Sequence, residues 1–222
     1  SRLAAVKSAR ARAASAYFRK NAREWDAIRL LHTDEEKVER AILDMLGKSC
    51  LGDVLDIGTG TGRMLQVLAP LSERGLGVDV SSEMLALARA NLDQADIDNC
   101  RVQSGNMYSL DLPSESFDFV ALHQVLHYAI DPVTVLAEVG RLLRPGGRIL
   151  VVDFAPHKLE HLRTDHAHRR LGFSDMEVAG WLRQNGFKTT CNEHLKGGAL
   201  TVSIWLAKRI ASRARVKGKQ AA

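Results

Sequence analysis

At 222 residues with 45% hydrophobic content, the chain can bury one full core, and its length favours one domain with appendages. It contains no apolar run of about 18 residues and no signal-peptide pattern, so a soluble, cytoplasmic chain with no membrane partner is expected. The net charge of +5 hides a split: residues 1–20 and 207–222 hold six basic residues each and no acid, which leaves 19 basic against 26 acidic residues between them. A body carrying −7 is no nucleic-acid surface by charge, whereas the basic ends are either solvated tails or nucleic-acid contacts. Three widely spaced cysteines (Cys50, Cys100, Cys191) point to neither a disulfide framework nor a zinc site.

The chain opens on an alanine-rich stretch, Leu3 to Asn21, without Gly or Pro, which reads as a long helix. It lacks an initiating Met and begins inside that pattern, so a fragment or processed product is expected. A second helix covers Ala22 to Leu31, and Thr33-Asp34-Glu35-Glu36 reads as a capping box for a third, to about Gly47. From there strands near 53–58, 75–80, 101–105, 118–123 and 148–154 alternate with helices. Asp131-Pro132 caps and opens the helix ending at Leu143, and Arg144-Pro145-Gly146-Gly147 reads as a tight turn into the fifth strand. A polar, His-rich connection runs from Pro156 to Arg170. Ser174-Asp175-Met176-Glu177 caps a further helix, and strands near 187–194 and 199–207 are close enough to pair antiparallel across Lys196-Gly197-Gly198. The expected divisions are 1–36 (helical cover), 37–208 (main domain) and 209–222 (basic tail).

The first strand carries the most informative segment, Asp53 to Arg63, D-V-L-D-I-G-T-G-T-G-R. Asp56 sits near the strand's end, and Gly58, Gly60 and Gly62 alternate with Thr59 and Thr61 before a helical stretch. Such a turn lets backbone N–H groups at a helix N-terminus approach a ligand that a Cβ would exclude. A Walker loop needs Gly-Lys-Ser/Thr, which Arg63-Met64 does not supply. The G-x-G-x-x-G dinucleotide turn needs its third glycine one residue after Gly62. About twenty residues on, Gly75 to Val80 forms the next strand, with Asp79 at its end placed to accept from a vicinal diol and Met84 one turn into the next helix as an apolar wall.

The remaining pattern, acidic residue-x-G-x-G-x-G with Asp79 at that distance, closely resembles the class I S-adenosylmethionine (SAM) methyltransferases. The resemblance implies an α/β fold: a doubly wound, mostly parallel, seven-stranded Rossmann-like sheet with a terminal antiparallel hairpin. It implies SAM as cofactor and S-adenosylhomocysteine as product. The cofactor shell it implies is Tyr17, Asp56, Gly58, Thr59, Gly60, Asp79, Val80, Met84, Gly105, Asn106, Met107 and His123. Asn106 departs from the family, which usually carries Asp there to accept from the adenine amino group; its side-chain carbonyl can still accept, and a plain turn residue is the other reading. Tyr17, in the run Tyr17 to Asp26 that resembles a segment covering SAM, either bonds the methionine carboxylate or packs.

After the fourth strand, Leu122 to His127 looks like the quinone-type and small-molecule methyltransferases, whereas the Asp/Asn-Pro-Pro-aromatic run of nucleic-acid N-methylases is absent. Arsenite methylases of this fold need thiols above the sheet, and the three cysteines are poorly placed for that. His127 is the candidate base, because an ordinary histidine pKa of about 6.5 suits proton removal; a structural histidine is the other reading. His157, His161, His166 and His168 with Arg169 and Arg170 read as a solvated helix face, a lid for an anionic substrate or, least well, a metal tract.

Several segments (Ser1 to Val6, Tyr17 to Asp26, His123 to Tyr128, His166 to Ser174) are similar to bacterial fusions of an ArsR-type winged-helix regulator with a methyltransferase domain. Two functions follow as expectations. One is a methyltransferase acting on a small-molecule acceptor. The other is a SAM or S-adenosylhomocysteine sensor whose DNA-binding half, the only route to nucleic acid, is missing from this chain. A homodimer is the assembly considered.

Overall fold

The computed structural model describes residues 34–197 and 199–210. The helices expected over Leu3 to Leu31, Tyr17 and most of the basic tail lie outside the described residues. The first described helix, α1 (Glu35–Leu46), is capped by Asp34, whose side chain accepts from Lys37 N–H, so the cap is one residue later than the expected Thr33 box. This helix also runs across the boundary expected at residue 36.

Strand β1 (Gly52–Ile57), the glycine turn and α2 (Arg63–Leu68) follow, then β2 (Ser72–Asp79), α3 (Ser82–Gln94), β3 (Cys100–Ser104) and β4 (Phe117–His123). The second half contains α4 (Pro132–Leu142), β5 (Leu143–Phe154), a short α5 (His161–Asp165), α6 (Asp175–Gln184), β6 (Phe187–Gly197) and β7 (Leu200–Arg209). Asp131 caps α4 with Pro132 behind it, and Ser174 with Glu177 forms the expected reciprocal capping box on α6. The expected turn at Arg144–Gly147 is instead an irregularity within β5: pairing with β4 breaks between Leu143 and Arg148, and Gly146 has φ 81.

Seven strands form one sheet in the order β3-β2-β1-β4-β5-β7-β6. The first five are parallel, and β7 runs antiparallel to both β5 and β6. This is the Rossmann-like, doubly wound layout with a terminal hairpin. Alternate residues of β4 enter different cores: Val120 and Leu122 pack with α4 and α6, while Phe119 and Ala121 pack with α1 and α2. Both faces of the central strands are therefore sealed, and ligand access is left to the carboxyl ends. There the strand order reverses between β1 and β4, which opens a crevice.

A return loop closes over the end of β5. Phe173 N–H donates to the Phe154 carbonyl, and Gly172 turns with φ 84. A Cβ on Gly172 would overlap the Ala155 carbonyl and sit 2.8 Å from the Phe154 oxygen. Gly172→Ala should therefore lower stability by at least about 2 kcal/mol, strain and collision together. In Gly146→Ala, at a similar φ with only Lys208 Cε at 3.7 Å, strain alone applies, and the loss should be about 1 kcal/mol. Urea unfolding of both variants measures the difference. Equal losses would mean that the backbone beside Gly172 yields freely.

Candidate functional site

At the end of β1 the chain turns on Gly58 (φ 74), and the Gly58 and Thr59 N–H groups both donate to the Val78 carbonyl at 2.8 and 3.0 Å. Any Cβ on Gly58 would collide with the Val125 side chain, so only glycine lets the β1 and β4 exits approach. At the end of β2, Asp79 braces the turn: one carboxylate oxygen accepts from Gly60 N–H at 3.0 Å and the other from Ser81 N–H at 2.9 Å. Burial raises the Asp79 pKa above the ordinary carboxylate value, partly offset by the backbone N–H groups of Ser81, Gly60 and Val80. Ser81 then caps α3, which places Met84, 2% exposed, against the cleft.

These elements border a cleft of about 1150 Å³, open to solvent. Of the residues expected in the cofactor shell, Asp56, Gly58, Thr59, Gly60, Asp79, Val80, Met84, Gly105, Met107 and His123 line it, and so does His127. Asn106 does not. Its side-chain oxygen accepts from Tyr108 N–H at 3.1 Å and its backbone bridges Ser109, so it is engaged as a turn residue.

The other half of the cleft is built by β4 and β5. His127 sits in a 3-10 turn (Leu126–Tyr128) directly after β4 and is 2% exposed. Its Nδ1 lies 2.8 Å from Asp153 Oδ1, on a fully buried carboxylate near the end of β5. Rings surround it, with the centroids of Tyr128, His168 and Phe154 at 4.0, 4.1 and 5.3 Å. The His-rich connection divides. His161 is exposed, His157 and His166 are half-buried, and His168 is buried against Phe154 in a stacked geometry. Burial lowers the pKa of both His157 and His166, and proximity to His127 adds to the effect on His157. His166 and His168 line the cleft, and Arg169 and Arg170 N–H groups both donate to the His127 carbonyl. A solvated helix face therefore describes only part of this segment. Among the described residues no cluster of three or more His, Cys, Asp or Glu could hold a metal ion.

Three further groups at the site, Glu35, Gln124 and Asp153, had no assigned role in the sequence, and His168 was read there only as part of the His-rich segment. Glu35, read there as part of a cap, is 4% exposed; it accepts from Gln124 Nε2 at 3.1 Å and lies 4.0 Å from His123 Nε2. Gln124 holds φ 50, a strained value for a non-glycine residue, and its N–H donates to the Val152 carbonyl. Asp153 and His168 meet His127 only through the fold. An acidic residue near the end of the fifth strand was a visible signal for Asp153, and the His-rich tract one for His168; Glu35 had none.

Residues 55–151 match the methyltransferase domain family. The chain is 36% identical over 104 residues to an uncharacterized methyltransferase, YcgJ, of Bacillus subtilis, covering 46% of this chain and 41% of that protein. It is 36% identical over 152 residues to an arsenite methyltransferase of Aquipseudomonas alcaligenes (55% and 44%) and 32% identical over 116 residues to a demethylmenaquinone methyltransferase of Tropheryma whipplei (52% and 47%). The chain thus spans less than half the length of these curated relatives. Among solved structures, B. subtilis YcgJ superposes with TM-score 0.69 at 20% identity, covering 79% of this chain and 99% of that one. Magnesium protoporphyrin IX methyltransferase of Synechocystis PCC 6803, solved with bound S-adenosylhomocysteine, gives TM-score 0.69 at 18% identity, covering 88% and 97%. Fold, glycine turn and family match agree: residues 55–151 are similar to the methyltransferase domain family, and the sheet that carries them has the class I methyltransferase fold.

Proposed function

We propose that the chain transfers a methyl group from SAM to a small organic acceptor, with His127 taking the proton from the atom that is methylated. The observation that carries this reading is one cleft that joins the Gly58–Gly60 turn and Asp79 to His127. SAM supplies a methyl group on a positively charged sulfur. The residues present suit it: the glycine turn admits close approach, Asp79 offers carboxylate oxygens to ribose hydroxyls, and Val80, Met84, Gly105 and Met107 form apolar walls for the base. Asp56, Thr59 and His123 line the same cleft, and Tyr17 is assigned to the methionine carboxylate. Asn106, engaged with Tyr108 and outside the cleft lining, is not assigned to the adenine.

The protein's remaining task is to hold donor and acceptor in line and to accept a proton. An arsenite acceptor is not favoured. None of Cys50, Cys100 and Cys191 borders the cleft, and burial pushes the Cys100 thiol up to about 11. Among the described residues no helix is long and apolar enough to cross a membrane. The acceptor is assigned to the small organic molecules, and a cytoplasmic homodimer is the proposed setting.

The test is a turnover screen that follows S-adenosylhomocysteine release across small metabolites, alongside calorimetric binding of SAM. Tight NAD binding with none of SAM would overturn the reading. A second reading, a SAM or S-adenosylhomocysteine sensor joined to an ArsR-type DNA-binding half, is favoured by one observation. The regulator-like segments His123–Tyr128 and His166–Ser174 meet at the cleft wall, where the His127 and His168 rings are 4.1 Å apart. Tight S-adenosylhomocysteine binding with no turnover of any acceptor would select it.

Asp79 also gives a pH signature. Ribose hydroxyls donate to the ionised carboxylate, so binding favours the deprotonated form. The free-protein pKa is raised, so affinity should be full above that raised value and fall as pH drops through it, earlier than for an ordinary aspartate. Calorimetry with S-adenosylhomocysteine from pH 7.5 downward should show this decline, and Asp79→Asn should flatten it. An undiminished decline in Asp79→Asn would assign the titration to another group.

A further inference from the structure

We propose that Asp153 is a positioning residue that holds His127 in one tautomer, with the proton on Nδ1 and a bare lone pair on Nε2. The inference rests on the methyl-transfer reading and deepens it, because such a ring serves only an acceptor whose methylated atom carries a proton, such as a hydroxyl or N–H group.

The geometry is specific. Asp153 is 0% exposed, near the carboxyl end of β5, one position from the strand's last residue. Its Oδ1 receives Phe154 N–H at 2.8 Å and faces His127 Nδ1 at 2.8 Å, and its Oδ2 receives His127 N–H at 3.2 Å. Both oxygens are therefore acceptors already aligned by the backbone. If Nδ1 were unprotonated, its lone pair would point at a carboxylate lone pair at hydrogen-bond distance in a buried site. Nδ1 must carry hydrogen.

That leaves a neutral ring or an imidazolium. His127 Nε2 is buried and has no hydrogen-bond partner. An imidazolium would strand a charged N–H donor there, whereas the neutral ring leaves only an unused lone pair, the smaller penalty. The carbonyl of His127 is held as well, accepting from Arg169 and Arg170 N–H at 2.9 and 3.2 Å, which fixes the backbone from which the ring projects. Tyr128 and His168 flank the ring, with centroids 4.0 and 4.1 Å away. In the reaction the acceptor's X–H bond breaks, its electron pair forms the X–CH₃ bond, and its proton passes to Nε2. The positive charge released from the sulfonium becomes that of the imidazolium, which Asp153 then stabilises.

The test is spectroscopic and needs no known acceptor. Two-bond ¹H–¹⁵N correlation spectra of the labelled chain, with and without S-adenosylhomocysteine, report which ring nitrogen carries the proton; His127→Gln assigns the signals. Wild type at pH 7.5 should show a protonated Nδ1 and a bare Nε2. Asp153→Ala should move at least half of the population to the Nε2–H form while S-adenosylhomocysteine affinity stays within about threefold. Alanine is preferred to asparagine, whose amide oxygen could still face Nδ1. A protonated Nε2 in wild type, or a pattern unchanged in Asp153→Ala, overturns the proposal. If Asp153→Ala does not fold, the wild-type spectrum decides. Loss of S-adenosylhomocysteine binding by wild type would instead sink the methyl-transfer reading, and the spectrum of the unloaded chain still decides the tautomer.

Discussion

Replacement of His127 by alanine should lower turnover by about 10²–10⁴ while leaving SAM affinity nearly unchanged. The expectation follows from where the ring sits. It follows β4 directly, borders the half of the cleft away from the glycine turn, and is backed by a buried carboxylate at 2.8 Å. Removing it deletes the proton acceptor but none of the groups assigned to ribose or adenine. Steady-state kinetics with the acceptor found by screening, together with calorimetry for SAM, separates the effects. A parallel fall in kcat and kcat/KM marks a group acting in the transition state. An unchanged rate would reduce His127 to packing against Tyr128, Phe154 and His168, and a fall in SAM affinity alone would move it to the cofactor shell.

Asp79→Ala should weaken SAM and S-adenosylhomocysteine binding by about 1–3 kcal/mol, the ordinary cost of losing hydrogen bonds to a charged group. Two effects contribute. The carboxylate is the expected partner of the ribose hydroxyls, and its oxygens also hold the Gly60 and Ser81 N–H groups, which shape the turn and the start of α3. Asp79→Asn keeps one oxygen but sets an amide N–H against one of those backbone donors, so it should also bind more weakly than wild type. Calorimetry at pH 7.5 measures both variants. Affinity unchanged in Asp79→Ala would remove this residue from the cofactor site.

Much of the architecture was legible because it rests on local signals. Alternating apolar strands, Asp131-Pro132 and the Ser174–Glu177 box each specify structure within a few residues, and the described elements begin close to where these signals stand. The turn at Arg144–Gly147 was misread because its proline and glycines signal a break, and nothing local shows that β4 pairs on both sides of it.

By itself, the sequence determined the glycine-turn half of the cleft. The spacing from Asp56 through Gly62 to Asp79 lies within one strand-turn-helix-strand unit, so chain geometry carries it into the fold unchanged. Only tertiary structure decided the surroundings of His127. Asp153 and His127 stand 26 residues apart and meet because β4 and β5 are neighbours in the sheet. His168 meets them because the return loop folds back over the end of β5. Glu35 reaches Gln124 across 89 residues because α1 packs on the sheet face beneath the cleft. No periodicity or motif encodes such pairings. They follow from the strand order and from which faces must be buried, and these are properties of the whole core rather than of any segment.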